Sequence, residues 1–164
     1  MKFVTKDEAI ETSDVIINAM NLTRIKGSLY NENYFSYDYL SRAKKGLIFI
    51  NVTRGEIAPE PVLLKLYDQG VLGGIGLDVF SNEHDFSLAV QGQVETVNNR
   101  VAAALVLLQM ASPLGNIYVQ PHQGFNSDLA VESKAADTIF HMISWYQNGK
   151  KRFDEQLPYY QDVI

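Results

Sequence analysis

Leu47-Ile48-Phe49-Ile50-Asn51-Val52 decides the fold of this chain. It is a short apolar run with no polar alternation, and it is followed by Thr53-Arg54-Gly55 and then by a helical pattern. A strand buried on one face only reads apolar–polar–apolar. An unbroken run of strand length means burial on both faces, as in a parallel sheet covered by helices. The same signature recurs at Val15-Ile16-Ile17-Asn18-Ala19-Met20, at Gly74-Ile75-Gly76-Leu77-Asp78-Val79 and at Asn116-Ile117-Tyr118-Val119-Gln120.

Helical patterns separate these runs. Thr5-Lys6-Asp7-Glu8 has capping-box spacing and predicts a helix to about Thr12. A second helix is expected around Tyr34 to Ala43, stopped by Gly46. A third runs from about Glu60 to Gln69, with proline at its start and Gly70 past its end; Val62, Leu63 and Leu66 share one face. A helical region lies within Leu88 to Met110. Its Val101–Leu108 core is apolar on all sides, which reads as a buried helix or an oligomer contact. A long last helix starts near Asn126 or Ser127 with Ala136, Ile139, Phe140, Ile143 and Tyr146 or Gln147 on one stripe. Strand–helix repetition predicts an α/β, doubly wound, Rossmann-like parallel sheet with helices on both faces.

The 164 residues fit one domain, 1–164, with 46 % hydrophobic and 20 % charged residues. Those proportions are ordinary for a folded soluble protein. A net charge of −5 with no basic cluster except Lys150-Lys151-Arg152 argues against nucleic-acid or membrane-surface binding. The absence of cysteine removes disulfides, thiolate nucleophiles and cysteine-based zinc sites, and fits a cytoplasmic protein. The longest apolar stretch, Val101 to Ala111, is too short to cross a bilayer. No His/Asp/Glu spacing suggests a metal site, and His84 and His141 read as a solvated and a structural residue.

In open α/β sheets ligands bind beyond the carboxyl ends of the strands. The loops there carry Asn18 to Thr23, Asn51 to Gly55, Asp78 to Glu83, and Pro121-His122-Gln123-Gly124. One sheet edge thus collects an arginine, two carboxylates and a histidine. Arginine offers a planar donor fork that grips a carboxylate bidentately. Histidine titrates near neutrality and can exchange a hydroxyl proton. A glutamate on the other ring nitrogen would orient the imidazole and favour its protonated form. Singly, each has a plain structural reading, as capping or loop residue; joint placement at successive strand ends gives them weight.

Asn51-Val52-Thr53-Arg54-Gly55, Gly76-Leu77-Asp78-Val79-Phe80-x-x-Glu83 and Pro121-His122-x-Gly124 resemble, in order and spacing, three segments of the D-isomer-specific 2-hydroxyacid dehydrogenases. Ser13-Asp14-Val15, Leu22-Thr23 and Lys45-Gly46 extend the likeness along nearly the whole chain. The resemblance implies NAD-dependent hydride transfer between a D-2-hydroxy acid and its 2-oxo acid. It implies Arg54 as carboxylate binder, His122 as acid/base and Glu83 as its partner. It further implies that Thr53 and Asp78 meet the nicotinamide carboxamide, that Gly124 lies against the cofactor, and that Met20 and Asn21 flank the adenosine side.

The sequence departs from the family pattern at Ala19, Asn21, Gln123 and Phe125, and in a longer stretch between Glu83 and His122. It holds no glycine loop that leaves a strand for a helix, which a dinucleotide pyrophosphate needs; Gly70 to Gly76 enters a strand instead. The expectation is therefore an incomplete domain lacking its first half, with Val15–Met20 presenting a flat apolar edge and Phe153–Tyr160 returning toward an absent substrate domain. Such a chain would act as a homo-oligomer or beside a complementing amino-terminal chain. The alternative is a non-catalytic binding or assembly module derived from such a dehydrogenase. A hydrolase is remote, since no serine sits on a nucleophile elbow.

Overall fold

The structure is a computed structural model that describes residues 3–25, 28–29, 31–94, 97–124 and 126–150. The chain divides into two compact units, Met1–Gln123 and Gly124–Ile164. In the first unit α1 (Lys6–Thr12) leads into β1 (Val15–Asn18), followed by a small antiparallel ribbon of β2 (Arg24–Ile25) and β3 (Ser28–Leu29). Then come α2 (Tyr37–Leu40), β4 (Leu47–Asn51), a 3₁₀ turn (Gly55–Ile57), α3 (Glu60–Asp68), β5 (Leu72–Leu77), α4 (Glu83–Val90), α5 (Asn99–Met110) and β6 (Ile117–Val119). The ribbon was not legible in the sequence pattern.

The four long strands form one all-parallel sheet in the order β1-β4-β5-β6, the α/β Rossmann-like arrangement that the apolar runs predict. Register explains what each run does. Ile16, Phe49, Ile75 and Ile117 align across the sheet, and the last three are buried. They meet Leu63 and Leu66 of α3 and Val101, Ala104 and Leu107 of α5 in one core. Each fully buried leucine there contributes roughly 2 kcal/mol. The next row, Ile17, Ile50, Gly76 and Tyr118, faces the other way. Ile17 is 59 % exposed and Tyr118 67 % exposed, so this row is not buried, contrary to the burial on both faces that the unbroken apolar runs predict. β1 is an edge strand, and its Val15 and Ile17 give that edge the apolar character expected of it.

Caps set most helix ends. The Thr5 hydroxyl accepts from the Glu8 N–H at 3.1 Å, fulfilling the capping signal and placing buried Ile10 on the core side. Gly46 and Gly70 adopt φ of +87° and +69°, as a turn after a helix requires. The second helix is shorter than the pattern suggests. Ser36 caps it, and the apolar residues before it are pinned in a loop. Phe35 donates its N–H to the Ile57 carbonyl at 3.0 Å and sets its ring 4.8 Å from that of Phe49.

The expected helical region within 88–110 resolves into two helices. Gly92 at φ +69° follows α4, and Asn98 caps α5 by accepting from Arg100 and Val101, both at 3.0 Å. α5 buries one side and leaves Val106 and Met110 exposed. Among the described residues no helix is long and apolar enough to cross a membrane.

The second unit, described by itself, is the helix α6 (Asp128–Gln147), capped by Ser127. Ile139, Phe140, Ile143 and Tyr146 are exposed along it, and Lys150 lies over the Trp145 and Tyr146 rings. Phe125, Lys151, Arg152 and the segment Phe153–Tyr160 lie outside the described residues.

Candidate active site

The carboxyl ends of β1 and β4 are tied together by side-chain amides. Asn18 and Asn51 are buried. Asn18 Nδ2 donates to Asn51 Oδ1 and to Thr53 Oγ1, each at 2.9 Å. Asn18 Oδ1 accepts from the Met20 N–H at 3.1 Å, and Asn51 Nδ2 donates to the Arg54 carbonyl at 2.9 Å. The loops carrying Met20, Thr53 and Arg54 are thus one hydrogen-bonded body. The Asn21 carbonyl accepts from Asn31 Nδ2 at 2.6 Å.

The end of β5 grips the loop after β6. The His122 N–H donates to the Asp78 carbonyl at 2.7 Å, and the Gln123 N–H donates to Asp78 Oδ1 at 2.7 Å. His122 is held at φ +51°, a left-handed conformation that costs a non-glycine residue roughly 1 kcal/mol. Such strain persists where surrounding bonds fix it, and it re-aims the side chain. His122 Nδ1 meets Glu83 Oε2 at 3.0 Å. Glu83 is not in a loop, as the sequence pattern places it, but in the first turn of α4, after Asn82 at φ +53°. A carboxylate at a helix N-terminus is favoured by the exposed N–H groups there. Nδ1 bonded to a carboxylate fixes the orientation of the ring.

Two features the sequence did not reveal lock the arginine loop to the Glu83 loop. A Cβ on Gly55 would lie 2.0 Å from the Phe80 carbonyl carbon and from the Ser81 nitrogen, so the residue after Arg54 rests directly on the Phe80–Ser81 peptide. Glu60, 1 % exposed, accepts the Ser81 N–H at 2.5 Å. Burial pushes its carboxyl above the usual carboxylate range, opposed by that N–H. Arg100 Nη1 donates to Ser81 Oγ at 2.8 Å. An acidic residue opening a helix signals a cap, and nothing in its spacing points to Ser81.

Arg54 is exposed at the end of β4, its guanidinium donating to its neighbour's carbonyl on Thr53 at 2.7 Å. Glu83 and His122 form a direct pair; the Arg54 guanidinium turns to the Thr53 carbonyl instead, and it is the next residue, Gly55, that lies against the Phe80–Ser81 peptide. Gly124 belongs to the second unit. A mainly apolar cavity of about 250 Å³ lies beside the pair, lined by Phe80, Glu83, Phe86, Val90, Pro121 and His122 among others.

Residues 1–124 match the model of the D-isomer specific 2-hydroxyacid dehydrogenase NAD binding domain. A D-lactate dehydrogenase of Staphylococcus epidermidis is 26 % identical over 145 residues, 88 % of this chain and 40 % of that protein. A 2-hydroxyacid dehydrogenase homolog of Zymomonas mobilis is 29 % identical over 153 residues, 93 % of this chain and 42 % of its own. The chain therefore spans about two-fifths of the length of these relatives. The crystal structure of Aquifex aeolicus D-lactate dehydrogenase complexed with NAD and lactic acid superposes with a TM-score of 0.72 at 23 % identity, covering 94 % of this chain and 44 % of that one. At that identity the likeness speaks for the fold.

Proposed function

The chain belongs to the D-isomer-specific 2-hydroxyacid dehydrogenase family, within its NAD binding domain, and from that premise we propose that it supplies the acid/base half of a site interconverting a D-2-hydroxy acid and its 2-oxo acid. The observation that carries this reading is the His122 Nδ1–Glu83 pair at 3.0 Å, on a sheet edge shared with Arg54. The family's cofactor is NAD, which when bound supplies or accepts the hydride at the substrate's second carbon.

The donor set fits one end of that cofactor. Thr53 and Asp78, at the ends of β4 and β5, are half-buried side chains suited to a carboxamide. Met20, Asn21 and Gly124 are assigned to its remaining length. The pyrophosphate requires backbone N–H groups at a glycine loop, and this sequence has none. In this reading the chain supplies the nicotinamide end of the site, in the cytoplasm, and an amino-terminal segment, of the same polypeptide or of a complementing one, supplies the pyrophosphate loop. The described residues and the carboxyl-terminal stretch together, 1–164, constitute one partial domain in this reading.

In reduction, Arg54 holds the substrate carboxylate bidentately and draws electron density from the adjacent carbonyl. His122 delivers its Nε2 proton to the carbonyl oxygen as the hydride arrives, and takes it back in oxidation. Glu83 fixes the orientation of the ring through Nδ1.

The test is NADH oxidation with a panel of 2-oxo acids, by the chain alone and mixed with a polypeptide carrying the glycine-loop half. Turnover that falls at least about a hundredfold in His122→Gln and in Arg54→Gln supports the assignment. Turnover unchanged in His122→Gln refutes it. A complemented assembly that binds NADH and reduces no 2-oxo acid identifies a non-catalytic module instead.

A further inference from the structure

Glu60 is the one side chain among the described residues with a buried polar atom, Oε2, that has no hydrogen-bond partner. A buried carboxylate with an unpaired oxygen destabilises a fold unless it secures something in return. What Glu60 secures is Ser81, itself 1 % exposed. Its other oxygen takes the Ser81 N–H at 2.5 Å. Arg100 donates from Nη1 to the Ser81 hydroxyl oxygen at 2.8 Å and from Nη2 to the Asn33 side-chain carbonyl at 2.5 Å, with Glu32 at 3.8 Å. Gly55 presses on the same peptide. Beyond Ser81 the chain turns through left-handed Asn82 into Glu83, while the Phe80 and Phe86 rings stack at 4.2 Å across the turn.

Asparagine enters the left-handed region more readily than most side chains, so the form of the turn is local, while the bonds to Ser81 fix where it stands. We propose that Glu60 and Arg100 are positioning residues, which from α3 and α5 clamp the Phe80–Asn82 turn and thereby set the Glu83 carboxylate against His122 Nδ1. The proposal rests on the pairing role given to Glu83 and His122 above. It differs from a purely structural role in one respect: loosening the clamp must change the state of a histidine ring that neither residue touches.

The test uses the full chain labelled with ¹⁵N-histidine, at a pH near 9 where imidazoles are neutral. Ring nitrogen shifts report which nitrogen carries the proton, with His122 assigned against His84→Gln and His141→Gln. The parent chain should show His122 as the Nδ1–H form, and Glu83→Ala should lose that preference. Glu60→Ala should lower the ratio of Nδ1–H to Nε2–H roughly tenfold, the worth of one hydrogen bond to a charged group. Glu60→Gln, which keeps an acceptor for the Ser81 N–H, should retain it. Arg100→Met, at a half-buried position, should move the ratio in the same direction and decides the matter if Glu60→Ala does not fold. If Glu83→Ala shifts the ring while folded Glu60→Ala and Arg100→Met leave it as in the parent, the clamp is refuted and the pair stands. An Nε2–H form in the parent refutes both.

Discussion

Replacing Gly55 by alanine should separate the arginine loop from the Glu83 loop, and the cost can be worked from the structure. The added carbon would sit 2.0 Å from two backbone atoms and 2.6 Å from the Phe80 carbonyl oxygen. Carbon contacts are comfortable near about 3.5 Å, so the two loops must part by roughly 1.5 Å. Neither neighbour is the movable end of a side chain. Overpacking of a tight interior costs about 1–3 kcal/mol. The same movement weakens the Glu60–Ser81 hydrogen bond, worth about another 1.5 kcal/mol because one partner is an acid. A loss of about 4 kcal/mol follows, a large share of a typical stability of about 5–15 kcal/mol.

Urea unfolding followed by far-ultraviolet circular dichroism should place the midpoint about 2 M below that of the parent, with a slope near 2 kcal/mol per molar. Gly76→Ala is the internal control. The atoms nearest its Cβ would be those of the Ile50 side chain, at 3.4 Å or more, so its stability should change by less than about 1 kcal/mol. A Gly55→Ala chain as stable as Gly76→Ala would show that the two loops are not pressed together, and the coupling of Arg54 to Glu83 would lose its basis.

Two further outcomes follow from the buried polar groups. Glu60 has a carboxyl whose pKa burial raises, so the folded chain is favoured while that carboxyl is protonated and loses this contribution as pH rises through the raised value. Glu60→Gln, neutral throughout, should melt close to the parent near pH 4 and above it near pH 8; a lower melting temperature than the parent at pH 8 refutes the burial argument. Asn18→Ala should cost about 2–3 kcal/mol in urea unfolding, because it strips Asn51 and Thr53 of a buried donor; a loss under about 0.5 kcal/mol would mean the amide ties contribute nothing net.

The strands and most helix ends were legible because their signals are local. Thr5, Gly46, Gly70 and Ser127 act on their own turn of chain. The residue types of the candidate site were legible as well, since Arg54, Glu83 and His122 each follow a recognisable apolar run. Less legible was where a run's neighbours go. Tyr34 and Phe35 continue the helical pattern of 34–43, yet Phe35 is taken by Ile57 and Phe49, and the helix starts only after Ser36. The stretch 88–110 holds the end of α4 and the whole of α5, which Gly92 and Asn98 separate by ending one helix and capping the next.

By itself, then, the sequence determined the fold class, the order of the strands along the chain and the identity of the groups at their carboxyl ends. These follow from periodicity, caps and residue chemistry, which operate over a few neighbouring positions. Only the tertiary structure decided that Glu83, the expected partner of His122, reaches it from the first turn of a helix, that Gly55 lies against Phe80 and Ser81, and that Glu60 and Arg100 meet at Ser81. Those contacts join residues 19 to 39 positions apart. A hydrogen bond across such a separation depends on where the packed sheet and helices bring its two ends, and no local pattern encodes that distance.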